Sequence, residues 1–383
     1  MKNHQGRLRS VLIFRWRTSM AKAPAKKATI IPATTLATAL KAASSIVETR
    51  NTIPILSMVR LVASGGSLAI TTTNLDIEYR QTIEAEGPSW SACVDAKRLA
   101  AMAGAASGDL SLSLDGNILT VKAGRSRWAL PALPVDDFPE MPTIQLCAPV
   151  DFATSALSEY INRTMWTAST DATRYYLGGV FLNNEAGSVR FVATDGHKAA
   201  SIVSDHAWPD DAPDVIVATP LAKVIAGISS DRVSLAWDGG RLRASADNIV
   251  ITGKLIDGTY PDYRRVIPDV GDAIQVNADG LLAAVKRARI ASNAQTRKLR
   301  LIRADGVLCA KIEGTDGCEG EGELPAQFDG DGEVGINADY LVAMLEAVGT
   351  GDVRISQKTP NDPLRFDPVD DTDFIGIVMP MRI

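Results

Sequence analysis

Two spacings of apolar residues alternate along this chain, and the alternation itself recurs. From Thr34, TTLATALKAASSIVETRN carries apolar residues at the three- and four-residue spacing of a helix, behind a threonine able to cap it. ATSALSEYINRTMWTAS from Ala153 and ADGLLAAVKRARIASN from Ala278 have the same shape. The three starts lie about 120 residues apart, well beyond a solenoid period, so they predict repeated domains. A second set interleaves at the same spacing: DAKRLAAMAG from Asp95, TPLAKVIAGI from Thr219 and NADYLVAMLEAVG from Asn337. Each opens on Asp, Thr or Asn, which cap helices, and closes in or near Gly, which stops them.

Between the helices the period drops to two. SLAITTTNLDIEYRQTI, DLSLSLDGNILTVKAG, VSLAWDGGRLRASADNIVITGKL and DVRISQ read as strands, with DGN and DGG as hairpin turns. The predicted unit is two helices plus about eight antiparallel strands, used three times. The fold class is therefore α+β, not a doubly wound nucleotide fold. The divisions expected are a basic extension over 1–27 and domains over 28–143, 144–268 and 269–383.

Charge is unevenly spread. The first 27 residues hold Lys2, Arg7, Arg9, Arg15, Arg17, Lys22, Lys26 and Lys27 and no acid. Setting those eight aside from the 40 Lys and Arg leaves 32 against 45 Asp and Glu, about -13 for the body. VLIF is too short for a signal-peptide core, and an Arg-rich, acid-free start has the composition of a transit peptide. The reading preferred is an upstream start codon with Met20 as the true first residue, or a disordered arm. No apolar run approaches the roughly 20 residues of a membrane span. Cys93, Cys147, Cys309 and Cys318 form no CxxC pair, which fits a reducing cytoplasm without a disulfide framework or zinc site.

Catalytic chemistry is sparse. The histidines are His4, His197 and His206, and no H-E-x-x-H, nucleophile elbow or Walker A sequence occurs. A G-x-G-x-x-G match at Gly330–Gly335 lies in an acidic loop and does not open a helix directly. The acids from Glu313 to Glu333 lack EF-hand spacing and suit a solvated face or a basic partner. VATDGHKAA, Val192 to Ala200, places Thr194, Asp195 and His197 on a strand–turn–strand. A hydrolase would use His197 as base and Asp195 as its orienter, yet no nucleophile can be assigned. A metal site needs ligands that the sequence does not supply. A turn contributing to a binding surface is the better reading.

GRSRWALPALPVDDFPEMP, RYYLGGVFL, VATDGHKAA, GKLIDGTYPDYRRVIP and the terminal VMPMRI occur in that order, with NTIPILSMVRL before them. From about Ala28 to Ile383 the chain thereby resembles the bacterial DNA polymerase III beta subunit, the replicative sliding clamp. That resemblance implies three tandem DNA-clamp domains per chain and a six-domain ring closed as a head-to-tail homodimer, about 60° per domain. It implies a cytoplasmic, non-enzymatic processivity factor without cofactor or metal. The ring encircles double-stranded DNA without sequence preference. Expected partners are the DNA polymerase III alpha subunit, the clamp loader, and other polymerases and repair proteins carrying a clamp-binding motif. The alternative is a non-replicative paralogue serving repair.

By the same resemblance, Arg50, Lys97, Arg98, Tyr175 and Tyr176 match positions near DNA. The partner pocket maps to Arg174, Leu177, Thr194, Gly196, His197, Lys198, Pro261, Arg265, Val266, Ile377, Val378, Met379, Pro380, Met381 and Arg382. The dimer joint maps to Arg125, Arg127, Trp128 and Leu130 at one end, and Ile290, Glu319, Glu321 and Glu323 at the other. Lys41, Arg163, Lys223, Lys286, Arg287 and Arg289 add further basic residues on the repeated helices. Ala199 stands where the family usually has leucine, Ala291 where some relatives do, and ATPLAK lacks the basic residue expected before the second domain's inner helix.

Overall fold

The computed structural model describes residues 28–47, 53–142, 145–210, 212–292, 297–314 and 317–382. The extension over 1–27 lies outside the described residues, as does Arg50. The first repeat runs β1 (Thr29–Pro32), α1 (Ala33–Ser44), β2 (Met58–Ser64), β3 (Ser67–Thr73), β4 (Ile77–Glu84), β5 (Trp90–Asp95), α2 (Ala96–Ala105), β6 (Asp109–Asp115), β7 (Ile118–Ala123) and β8 (Ser126–Leu133). The second runs β9 (Val150–Ala153), α3 (Thr154–Met165), β10 (Gly179–Glu185), β11 (Ser188–Thr194), β12 (Lys198–Ala207), β13 (Val215–Ala218), α4 (Thr219–Ala226), β14 (Arg232–Trp237), β15 (Arg241–Ala246) and β16 (Ile249–Lys254). The third runs β17 (Asp272–Asn277), α5 (Ala278–Ala288), β18 (Lys298–Ala304), β19 (Val307–Glu313), β20 (Glu319–Pro325), β21 (Gln327–Phe328), β22 (Gly332–Asn337), α6 (Ala338–Val348), β23 (Asp352–Gln357), β24 (Leu364–Pro368) and β25 (Phe374–Val378). Apart from the two-residue β21, the repeats share one element order.

The first helix of each repeat buries the same stripe. Counted from the helix start, Ala33, Leu36, Leu40 and Ala43 in α1 match Thr154, Leu157, Ile161 and Thr164 in α3, and Ala278, Leu281, Val285 and Ala288 in α5. Leu36, Leu157 and Leu281 are at most 1% exposed, about 2 kcal/mol of apolar burial each. The same count aligns Ala42, Arg163 and Arg287 on the neighbouring face.

Capping follows the sequence in part. The Asp95 carboxylate accepts from the Arg98 amide, and the Asn337 amide oxygen from the Asp339 and Tyr340 amides. Thr34 and Thr219 do not cap. α1 begins directly after Pro32, and the Thr219 hydroxyl donates to the Gly178 carbonyl at 2.9 Å. Gly320 and Gly322 let α5 lie directly on β20. A Cβ on Gly322 would stand 2.6 Å from the Ala284 carbonyl oxygen, and one on Gly320 2.4 Å from that of Ala288.

The repeats join through their sheets. β16, the last strand of the second repeat, pairs antiparallel with β4 of the first, from Ile249↔Gln81 to Gly253↔Ile77. β25, the last strand of the third, pairs in the same way with β12 of the second, from Phe374↔Ile202 to Val378↔Lys198. The first seam unites twelve strands and the second nine. The strands in the corresponding places at the chain's two ends are β8 and β20. β20 is the edge of a four-stranded sheet, and β8 touches β5 only through Leu133 and Ala132.

Candidate functional site

VATDGHKAA forms the β11–β12 turn at the second seam. Gly196 turns the chain at φ 87°, a left-handed conformation that glycine adopts without a Cβ clash. One Asp195 carboxylate oxygen accepts from the amides of His197 and Lys198 at 2.8 and 2.9 Å. The other closes a short ion pair with the Lys198 ammonium. Burial alone raises the Asp195 pKa, but the Lys198 side chain and those two amides outweigh it and hold the carboxyl below its ordinary range. Asp195 is thus committed to its own turn and does not orient His197, whose ring is exposed.

Lys198 is the centre of the site. Its side chain is only 10% exposed, and its ammonium lies 5.8 Å over the Trp166 ring and 5.0 Å over the Tyr340 ring. Trp166 caps α3 in the second repeat and Tyr340 belongs to α6 in the third, so one cation joins the two. The C-terminal segment docks alongside. The Met379 amide donates to the His197 carbonyl and the Met381 amide to the Gly335 carbonyl, each at 2.8 Å. Met379 and Met381 are 38% and 39% exposed beside a cavity of about 550 Å³, with Pro360, Pro380 and Arg382 in its wall.

The other expected pocket residues divide by depth. Arg174 donates to the Asp195 carbonyl at 2.7 Å and pairs with Asp171, which locks the turn to the 3-10 segment Ala172–Leu177. Thr194 is buried and donates to the Lys198 carbonyl. Leu177 packs with Val192, Ile216, Tyr260 and Tyr263 in a small core beneath the linker over 255–271 that joins β16 to β17, and Ile377 and Val378 are core residues of β25. Pro261, Arg265 and Val266 are exposed along that linker. Ala199 faces Ile377 across the β12–β25 pairing. Trp166, Tyr340 and Gly335 were not legible in the sequence. Their spacing gives no signal, and only the fold brings aromatic rings to a buried cation.

On the helices, Lys41, Lys97, Arg98, Lys223 and Arg287 are exposed. Lys286 pairs with Glu346 at 2.7 Å and Arg289 with Asp339 at 2.5 Å. Arg163 departs from its expected place on an open helix face. Its side chain is 13% exposed, its Nε donates to the Ala347 carbonyl, and its Nη1 pairs with Asp371 and Glu159. Tyr175 is 57% exposed with its ring edge-on to Tyr176, and Gly258 leaves room for the pair.

At the chain's ends, Arg125 and Arg127 are exposed on β8 and its turn, and Glu319, Glu321 and Glu323 on β20. Ile290 is 85% exposed just past α5. Leu130 is 2% exposed, so its side chain is spent in its own core and only its backbone reaches the edge. Trp128 packs partly on that core. Among the described residues no helix is long and apolar enough to cross a membrane, and no His, Cys, Asp and Glu cluster has metal-site composition.

Three serial α+β repeats, zipped edge to edge and left with one unmatched edge at each end, define a clamp architecture. The family models for the DNA polymerase III beta subunit match in order: N-terminal domain over 28–142, central domain over 151–262 and C-terminal domain over 264–382. The chain belongs to the DNA polymerase III beta subunit family. It is 32% identical to the beta sliding clamp of Pseudomonas aeruginosa over 354 residues, covering 90% of this chain and 96% of the relative. It is likewise 32% identical to that of Caulobacter vibrioides over 368 residues, covering 90% and 97%. The P. aeruginosa sliding clamp bound to griselimycin superposes with a TM-score of 0.86 at 30% identity, over 93% of this chain and all of that one. The Caulobacter crescentus clamp superposes at 0.82 and 31%, over 94% and 100%.

Proposed function

We propose that this protein is a DNA sliding clamp: two copies close head to tail into a ring that encircles duplex DNA and tethers the replicative polymerase, without catalysing a reaction. The observation that carries this reading is the matched pair of unused edges. Ile249 and Phe374 open β16 and β25 opposite Gln81 and Ile202. Ser126 opens β8. Gln81 and Ile202 lie three residues past Glu78 and Ala199, which face the ends of β3 and β11. Glu319 faces the end of β19, so the counterpart three residues on is Gly322. Carried to a second copy, this register sets Ser126 against Gly322, Arg127 against Glu321 and Ala129 against Glu319.

That register is chemically consistent. Lys122 neighbours Arg127 on β7, and Lys311 neighbours Glu321 on β19. The outer face of the joint then reads Lys122, Arg127, Glu321, Lys311, with opposite charges where the copies meet. Trp128 falls over Gly320, beside Ile290. A head-to-tail contact of this kind makes a closed ring when its rotation matches the two internal seams.

A closed ring holds DNA by topology and needs only weak phosphate contacts. Lys41, Lys97, Arg98, Lys223, Tyr175 and Tyr176 supply them, while the acidic body discourages binding elsewhere. The groove around His197, Met379 and Met381 receives short peptide motifs of the polymerase alpha subunit, the clamp loader and repair proteins. Methionine adapts to several motifs. A few apolar anchors give roughly micromolar affinity, about -8 kcal/mol. The test is retention on DNA. The protein is loaded by a clamp loader onto nicked circles and gel-filtered in about 200 mM salt, where electrostatic contacts are weakened. It should stay on circles and run off after linearisation. Equal retention on both forms, or none on either while a control clamp loads, sinks the ring.

A further inference from the structure

We infer that Arg287 is a residue of the joint between two copies of this chain, crossing it to the end of the second copy's α2. This rests on the head-to-tail reading above. The shared burial stripe puts Ala42, Arg163 and Arg287 at one position of the three first helices. α3 lies beside α6, the second helix of the next repeat, and there Arg163 spans the seam. Its Nε donates at 2.7 Å to the carbonyl of Ala347, one residue short of the end of α6. The guanidinium lies 4.3 Å over the Phe374 ring and reaches Asp371 at 2.7 Å. Carbonyls at a helix C-terminus lack partners within the helix and carry its negative pole, so an arginine suits them.

In the first repeat the position is Ala42, and the seam is correspondingly open. A groove of about 400 Å³ runs past Ala42, Val224, Gly227 and Ile228, at the end of α4. In the third repeat the arginine returns, and the described residues hold no fourth repeat for it to meet. Arg287 is exposed and, among the described residues, has no ion-pair partner, although Lys286 and Arg289 on either side do. The helix it would meet is α2 of a second copy, the counterpart of α4 and α6. Ala105, the tenth and last residue of α2, matches Ala347 in that count. The turn corresponding to that of Asp371 is Gly124–Arg125, which holds no acid. The contact is therefore a hydrogen bond to a helix end rather than an ion pair, and it should tolerate salt better than Arg127 against Glu321.

The test is a dilution series of the full chain, followed by light scattering at about 0.15 M and 1 M salt, a range that screens exposed ion pairs. Wild type is compared with Arg287→Ala, Arg287→Met, Arg287→Lys and, as control, the exposed Lys358→Ala. The Met variant keeps the apolar stem without the donors. We expect Ala and Met to raise the dimer Kd about a hundredfold at both salt concentrations, Lys less, and Lys358→Ala not at all. Monomer melting should be unchanged, since Arg287 is exposed in the monomer. A wild type that dimerises while the Ala and Met variants keep its Kd overturns the inference and leaves the ring standing. A loss that vanishes at 1 M salt overturns it too, because it reports general charge. A wild type that never dimerises removes the ring reading itself.

Discussion

The two internal seams have the same strand register and different interiors. At each, five residue pairs join a last strand to a middle strand of the preceding repeat. Behind the second seam, Arg163 and Lys198 reach across, each ion-paired and each lying over aromatic rings. Behind the first lies the apolar groove at Ala42, and the remaining polar contacts are peripheral: Lys254 to Asp76 at 2.8 Å and the Asn248 side chain to the Thr82 carbonyl at 2.7 Å. Backbone pairing sets where two domains meet, and the side chains behind it set how firmly. The firm seam is the one where the Met379–Met381 segment and its cavity in the third repeat dock against His197 of the second. Binding that depends on two domains requires their spacing to be held in advance.

Removing the arginine should break this contrast most. Arg163→Ala leaves the Ala347 carbonyl and Asp371 without their partner in a largely buried place. It should cost about 3 kcal/mol in thermal unfolding and speed hydrogen exchange at the end of α6 while sparing β4. Next comes Asp195. Its carboxyl titrates below the ordinary value, so it stabilises the fold above the unfolded-state pKa near 3.9, and that share disappears as pH falls through the lower folded value. Asp195→Asn should lose about 2 kcal/mol at neutral pH by leaving Lys198 without its counter-ion, and should flatten the acid limb of a stability–pH curve below about pH 4.

A smaller effect should sharpen the comparison from the other side. Ala42→Arg supplies the open seam with the missing side chain, beside Gly227 and Ile228 at the end of α4. A gain of up to about 1 kcal/mol, with slower exchange at the β4–β16 pairing, is expected. An unchanged exchange rate there would show that the groove does not govern the seam. Last, Lys254→Ala removes an exposed pair and should shift stability by no more than about 0.5 kcal/mol, less in high salt.

Much of the architecture was legible before any coordinates. The helix stripes gave the threefold repeat because apolar spacing reports which face a helix turns toward its own core. Asp95 and Asn337 were readable as caps because the side chain bonds amides of its own first turn. Thr219 was misread because its hydroxyl is taken by Gly178, 41 residues away. The same limit applies to the site. Arg163 reads as a solvated helix residue until the neighbouring domain arrives, and Lys198 reads as a charged wall residue although it is buried between two rings. The resemblance supplied positions for the groove, but not the depth at which each side chain lies.

The matched edges have one more consequence, in the arithmetic of assembly. Two chains that close on each other form two identical joints, so every residue at the joint is present twice in the complex. A substitution that weakens one joint tenfold enters the dimer constant squared, a hundredfold. Yet either joint can part while the other keeps both chains together, because the second contact is then a reunion within one molecule rather than a meeting of two. In the proposed ring, a gate for DNA and a durable assembly thus come from the same pair of strands.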